Sequence, residues 1–508
     1  MFKAIGNMFR LLGLARRLRR YGALRALTHM DVIPSWLPTL LRITTFYVPR
    51  KSGLPDDDGE RLAMAFASMG PSYIKVGQTL STRPDMVGEL ADGLATLQDR
   101  LPAFDGDDAI AIIEEELGGE LSDHFASFEK EAYAAASIAQ VHRATRTDGS
   151  EVAVKVLRPG IRKRFAKDVS LFAWLASLAD KTEEGKRLRA SEVVKTLERS
   201  ISQEMDLRLE ASAAAEIKAN MVNQAGYDVP TVYWQETSER ILTTEWVEGI
   251  KLSDVDALKA AGHDMEKLAS TIIEAFLNQA MRDGFFHADL HPGNLLVRGD
   301  STIIAVDFGI MGRLTVAERR YLAEILYGFL ERDYVKVAEL HFDAGYVPMS
   351  ESLGEFAQAL RAIAEPILDR PVEEMSAGTL LSQLFDTTAR FQMQTQPQLL
   401  LLQRSMVMAE GLALQLHPKG NMFTLARPVL EGWIRDNLSP EVLIADMMKK
   451  LPALIERIPR FIDLMLEEKE EAVVSTPVRG DGYMAGLLQG LGVAFIIALA
   501  ALWANTYL

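Results

Sequence analysis

Residues 287–294 read His-Ala-Asp-Leu-His-Pro-Gly-Asn, and residues 307–309 read Asp-Phe-Gly. Phosphoryl transfer needs an acceptor for the nucleophile's proton and oxygen ligands for Mg2+ on the phosphates. An aspartate followed five residues later by an asparagine, Asp289 and Asn294, supplies both from one loop. A second aspartate at the end of a short strand pair, Asp307, supplies the main metal ligand. Between them, Leu-Leu-Val and Ser-Thr-Ile-Ile-Ala-Val, split by Gly299-Asp300, predict the β-hairpin that this arrangement requires. A metal site on His287 and His291 at i, i+4 would need a helix, which Pro292 and Gly293 break.

Working upstream, residues 151–157 alternate around Val152, Val154 and Val156 and predict a strand carrying Lys155. A lysine so placed can reach the α- and β-phosphates of a nucleotide if an acid orients it. Before it, Ala134-Ala135-Ala136-Ser137-Ile138-Ala139-Gln140 stands where a phosphate-binding glycine loop would be, without a glycine. Three alanines stay small but lose the positive-φ freedom of glycine. The plainer alternative is a helical alanine run. Residues 241–247 predict another strand, with Glu245 and Val247 as candidates for nucleotide contact, and the lobes should part near Glu248-Gly249. Residues 107–117 predict a helix ended by Gly118-Gly119, 192–220 one long helix, 265–283 a helix, and 316–470 an almost wholly helical half.

Composition limits the function classes. The chain has 508 residues, a net charge of −15 and no cysteine. An acidic body argues against nucleic acid as a partner, and the missing thiols exclude disulfides and cysteine-ligated zinc. Charge is uneven, however. Residues 1–30 carry Lys3 and six arginines (Arg10, Arg16, Arg17, Arg19, Arg20 and Arg25) interleaved with Phe2, Ile5, Met8, Phe9, Leu11, Leu12 and Leu14. That pattern predicts a basic amphipathic helix on an anionic membrane surface, or else one packed on its own domain. At the other end, Met484 to Ala504 holds no charge, and about 20 residues span a bilayer core. Tyr483, Trp503 and Tyr507 would sit at the interfaces, after a polar linker at 471–482. Arg479 upstream and no basic residue downstream place the body on the cytoplasmic side of a single-pass anchor. Gly486 and Gly490 form one GxxxG, a weak signal for a homodimer.

Taken together, Lys75-Val76-Gly77-Gln78, the alanine-rich loop, the lysine strand, Glu204-Met205-Asp206, HADLHPGN and DFG resemble the UbiB family of atypical protein-kinase-like proteins over roughly residues 30–440. The resemblance implies an α+β, two-lobed protein-kinase-like fold with an N-terminal helical extension and a C-terminal transmembrane helix. The divisions are a basic surface helix at 1–30, an extension with KxGQ at 31–130, an N-lobe at 131–248, a helical C-lobe at 249–470 and the span at 484–504. It also implies ATP and Mg2+ as cofactors. Asp289 would be the catalytic base, Asn294 and Asp307 the metal ligands, Lys155 the phosphate lysine, and residues 134–140 the nucleotide loop. Lys75 and Gln78 would meet Glu204 and Asp206 over the place where a protein kinase holds its peptide. Glu204 and Asp206, two apart, cannot share a helix face. Either Glu204 or Glu210 could pair with Lys155, and Glu210, on one face with Asp206, is preferred.

The function implied is a membrane-bound atypical kinase or ATPase supporting ubiquinone biosynthesis at a bacterial inner membrane. It would handle hydrophobic quinone precursors alongside membrane lipid and biosynthetic enzymes. Two alternatives share parts of the pattern: a small-molecule kinase of the aminoglycoside or choline type, and a nucleotide-switched pseudokinase scaffold. KxGQ speaks against the first, and the intact Asp289, Asn294 and Asp307 against the second.

Overall fold

A computed structural model describes residues 2–29, 36–81, 87–97, 102–181, 190–368 and 397–418, with a few positions between 390 and 437. The chain divides into Met1–Trp433 and Ile434–Leu508, and the elements below belong to the first unit. The expected span at 484–504 and its linker lie outside the described residues.

The extension opens with α1 (Phe2–Arg20), α2 (Trp36–Thr44), α3 (Asp58–Met69), α4 (Pro71–Ser81) and α5 (Leu90–Ala95). The apolar stripe of α1 (Leu11, Leu14, Ala15 and Leu18) packs with Leu62, Phe66, Ile74 and Leu94 in one core. Of the two readings of the basic helix, its apolar face therefore lies against its own domain. Asp57 caps α3 by accepting from the Glu60 amide at 2.7 Å. Two glycines set the helix spacing here. A Cβ on Gly93 would come within 2.4 Å of the Gly59 backbone, and one on Gly77 within 2.2 Å of Leu97 Cδ1. The glycine of KxGQ is thus a packing residue.

Next come α6 (Gly106–Leu117), α7 (Leu121–His124), β1 (Phe125–Phe128), β2 (Ala134–Ala135), β3 (Ala139–Arg146) and β4 (Glu151–Leu157). After α8 (Ile161–Ala179), α9 (Ala190–Glu204), α10 (Leu207–Asn220) and β5 (Tyr227–Asp228), strand β6 (Ile241–Glu245) completes the upper sheet. Its order is β1-β3-β4-β6, with β2 paired to β3. The valines of β4 are fully buried in one core with Ile112 and Ile113 of α6, as period-two alternation requires. The single helix expected over 192–220 is instead two. The chain leaves helical geometry at Asp206 (φ −114°, ψ 92°), whose carboxylate caps α10 through the Arg208 amide. A capping aspartate offers the backbone a partner that competes with helix continuation.

The lower lobe holds β7 (Ile250–Lys251), α11 (Val255–Ala260) and α12 (Met265–Leu277), which ends in a π-turn over Asn278–Asp283. Then follow β8 (Phe285–His287), β9 (Leu295–Val297), β10 (Ile303–Ala305), β11 (Met311–Arg313), α13 (Val316–Leu330), α14 (Tyr334–Asp343), α15 (Leu353–Leu368) and α16 (Pro397–Leu416). β9 and β10 form the expected hairpin, with Ile303 opposite Val297. β5 runs parallel to β10, so Tyr227–Asp228 joins the lower sheet although it precedes the lobe boundary in sequence. Among the described residues one helix, Gln398–Leu416, is long and apolar enough to cross a membrane. It packs along α12 and buries Leu402, Met406, Ala409 and Leu416, as a core helix does.

Candidate functional site

Register on the upper sheet decides which side chains share a face. Lys155 stands opposite Val141 on β3 and Leu242 on β6, and Ala153 opposite Thr244. Directly opposed residues project to the same side. Val141, Ala153 and Thr244 therefore lie on the face that carries Lys155, while Val152, Val154 and Val156 lie on the other. The expectations above missed these three, although the alternation that turns the valines inward already turns Ala153 toward Lys155.

The Lys155 ammonium lies 2.6 Å from Glu210 Oε1 and 3.7 Å from Asp307 Oδ2. Glu210 thus takes the pairing left open between it and Glu204. Burial alone would make Lys155 easier to deprotonate, but the carboxylates of Asp307 and Glu210 outweigh it and hold the amine charged. Lys155 in turn holds the Asp307 carboxyl below the usual carboxylate range. Asp307 remains partly open, its side chain 43% exposed, and its Oδ1 accepts from the Gly309 amide at 3.0 Å.

Lys75 Nζ lies 3.1 Å from Glu204 Oε2. Asp206 does not join that pair, contrary to expectation. Both its oxygens accept from the Arg208 guanidinium, at 2.8 and 2.7 Å, because its capping role turns it the other way. Among the described residues no side-chain hydrogen bond joins Gln78 to either acid.

The catalytic-loop motif and DFG are tied together by one imidazole. His287 Nε2 donates to the Asp307 carbonyl at 2.5 Å, and its Nδ1 accepts from the Asp289 amide at 3.1 Å. These partners require the neutral ring, and burial pushes its pKa down accordingly. The Asn294 carbonyl accepts from Val306 N at 3.0 Å, and Ala288 N donates to the Ile310 carbonyl at 3.0 Å. The side chains of Asp289, Asn294 and Asp307 are left half-buried on this frame. His291 Nδ1 accepts from Gly293 N at 3.1 Å, so both histidines are engaged locally rather than as a metal pair. After DFG the chain pairs back at once, with Met311 opposite His287, and enters α13 through a Thr315–Glu318 capping box. Only Ile310 to Leu314 separate DFG from the Thr315 cap, too few to form a long activation segment.

The alanine-rich stretch is a β-hairpin, not a helix. Ala134 pairs with Val141 and Ala135 with Gln140, and Ala136 N donates to the Ala139 carbonyl at 2.9 Å. Arg158 secures the tip: its Nη2 donates to the Ala136 carbonyl at 2.8 Å, and its amide to the Ile138 carbonyl at 2.9 Å. Arg158 was also missed from sequence, since nothing local marks an arginine three residues after a strand lysine as a loop clamp. Ser137 is buried. Gln140, expected at the nucleotide, opposes Val156 on the far face, where its amide brackets the backbone of Phe104 at 2.9 and 3.3 Å. The Glu245 carboxylate accepts from Thr231 N at 3.2 Å and pairs with Arg298 at 3.6 Å, which leaves backbone rather than carboxylate for a nucleotide base. The amide of Val247 is unpartnered among the described residues.

No group of three or more His, Cys, Asp or Glu side chains that could hold a metal alone exists among the described residues. Asp307 and Asn294 fit Mg2+, which is commonly held by one or two carboxylates together with phosphate oxygens.

A family model described as the ABC1 atypical kinase-like domain matches residues 96–341, and the UbiB helical domain matches 360–421. A relative named "Probable protein kinase UbiB" in Marinobacter nauticus is 42% identical, with 80% of this chain and 76% of its own length aligned. A relative of the same name in Pseudomonas putida is 38% identical across 98% of this chain and 96% of its own. A solved structure, the Rv3197–erythromycin complex from Mycobacterium tuberculosis, is 23% identical with a TM-score of 0.44, over 70% of this chain and 94% of that one.

Proposed function

The chain belongs to the UbiB family of atypical kinase-like proteins, and on that premise we propose that it binds Mg2+-ATP and uses its turnover at a membrane to support ubiquinone biosynthesis. The observation that carries the nucleotide part is the charged trio of Lys155, Glu210 and Asp307 on a frame that also presents Asp289 and Asn294. Glu210 fixes the Lys155 ammonium where it can donate to α- and β-phosphate oxygens. Asp307 and Asn294 would hold the metal, which supplies charge neutralisation between the phosphates. Asp289 Oδ accepts the proton of the attacking group, and His287 keeps that loop aligned with Asp307 through its two hydrogen bonds.

The absence of room for an activation segment, and the lysine that the extension brings to Glu204, support ATP use without phosphorylation of a peptide. The substrate side of the reading is the extraction or presentation of hydrophobic quinone precursors to membrane enzymes. The test is ATP hydrolysis by the full chain, alone, with anionic vesicles, and with vesicles plus an alkylphenol headgroup mimic. Mg2+-dependent turnover raised by vesicles and raised again by the phenol is the expected result. Absence of Mg2+-ATP binding would remove the enzymatic reading, and turnover indifferent to both additions would remove the lipid-linked one.

A further inference from the structure

The apolar stripe of α1 is buried, yet the extension still shows water a run of large apolar side chains. Phe46 is 75% exposed, Phe9 67%, Ile43 65%, Tyr47 55% and Leu40 46%. Leu41 of α2 and Thr45 just after it turn inward, which directs Leu40 and Ile43, three apart, outward; Phe46 and Tyr47 continue the run. Phe9, Arg16 and Arg20 are spaced i, i+7, i+11 and form one outer stripe of α1. The two pieces are joined. Arg16 Nε donates to the Tyr47 hydroxyl at 2.7 Å with its guanidinium 5.7 Å from the ring centroid, and Arg19 donates to the Phe46 carbonyl at 3.4 Å.

We infer that this outer face of α1, α2 and the Phe46–Tyr47 turn docks on the surface of an anionic lipid bilayer. Isolated exposed apolar residues are ordinary, but a contiguous group rimmed by one sign of charge marks a contact surface. Charge selects the occupant. Residues 1–55 carry Lys3, Arg10, Arg16, Arg17, Arg19, Arg20, Arg42, Arg50 and Lys51 against Asp31, with Arg25 already paired to Asp58, in a chain of net charge −15. A second copy presenting the same face would bring like charges together. An anionic headgroup layer matches the arginines, and its acyl boundary takes Ile43 and Phe46, while Tyr47 suits the interface between them. The inference rests on the membrane-bound reading above and gives it a surface distinct from any C-terminal span.

The lack of native cysteine allows a direct test on the full chain. The variants Ile43→Cys and Phe46→Cys, with Val222→Cys as a control at a residue 76% exposed, are labelled with an environment-sensitive fluorophore. Each is mixed with vesicles of phosphatidylcholine and phosphatidylglycerol in equal parts, with and without a lipid-borne quencher. The labels at 43 and 46 should shift to the blue, brighten severalfold and be quenched from the lipid phase, less so at high salt, while the label at 222 does not change. Protein that sediments with vesicles but keeps aqueous emission at 43 and 46 overturns this surface and leaves the membrane reading standing. Failure to sediment removes both. A blue shift without vesicles that grows with protein concentration assigns the face to a second copy and also overturns the inference.

Discussion

Lys75, on a helix of the N-terminal extension, sets its ammonium 3.1 Å from the carboxylate of Glu204, at the end of the helix just before the one that bears Glu210. The pair is largely screened from water, with side chains 15% and 12% exposed. Removing one partner of such a pair costs the other a largely desolvated charge interaction. Lys75→Met should therefore lose ~2 kcal/mol of stability, and Lys75→Met/Glu204→Met should lose less than the two single changes summed. Urea unfolding of the two single variants and the double variant checks this. Additive losses would show that the two residues do not couple.

Glu210→Gln keeps the shape beside Lys155 and removes the charge. The ammonium still faces Asp307 at 3.7 Å, so the fold should survive. Mg2+-ATP affinity should fall about tenfold or more, roughly 1.4 kcal/mol, measured by calorimetry. An unchanged affinity would exclude Glu210 as the residue that positions Lys155.

Asp307→Asn replaces a carboxylate by an amide, a poorer Mg2+ ligand. The thermal shift produced by Mg2+-ATP should disappear while the unliganded midpoint stays near wild type. A shift of full size, with turnover intact, would take Asp307 out of the metal site.

Ala136→Gly acts on a hairpin tip, so the helix-interior penalty does not apply. The expected stability loss is only ~0.5–1 kcal/mol, from the freer unfolded chain. Nucleotide affinity or preference should change by more than this, with some self-phosphorylation emerging, because glycine lets the backbone approach the phosphates. Arg158→Ala, which frees the Ala136 carbonyl, should raise the KM for ATP more than it lowers kcat, with Arg158→Lys intermediate. If nucleotide binding is unaltered in both variants, residues 134–138 are not the phosphate loop.

Three buried histidines set an acid limit on stability. Burial depresses His142, His287 and His341, the last to about 4, each kept neutral in the folded chain. The unfolded chain takes up protons below about 6.5 while these sites refuse them. Their contribution is thus present above that pH and lost as pH falls toward the folded values. Between pH 6.5 and 4, the His341→Gln variant should show a shallower loss, by up to ~1.4 kcal/mol per pH unit, in denaturant midpoints. An unchanged slope would mean His341 titrates normally.

The candidate site is legible in the sequence where its motifs are local. Asp289, Asn294 and Asp307 sit on a loop and hairpin whose turn residues lie within one short stretch, and Lys155 on a strand whose valines announce its alternation. Residues that act across the fold were harder to read. The two-residue spacing of Glu204 and Asp206 excluded a shared helix face, but nothing in it showed that Asp206 ends one helix and caps the next. Gln140 was assigned by its place in a motif, whereas strand register against Val156 sends its side chain to the opposite face. The basic N-terminal pattern predicted amphipathicity correctly but not which body would take up the apolar side. The core of the extension did, and the exposed apolar surface passed to α2.

The glycine contacts of the extension bear on timing. With Gly93 against the Gly59 backbone and Gly77 under Leu97 and Phe66, the helices that carry and support Lys75 have no slack between them. Lys75 cannot be drawn away from Glu204 by sliding one helix along another, as a loosely packed pair would allow. Moving the Lys75 backbone away from Glu204 would require the helical layer to swing as a body. Such collective motion runs in microseconds to milliseconds, not at the nanosecond pace of a loop. A change that loosens one glycine crossing would therefore alter the rate of such a motion before it altered the Lys75–Glu204 contact itself.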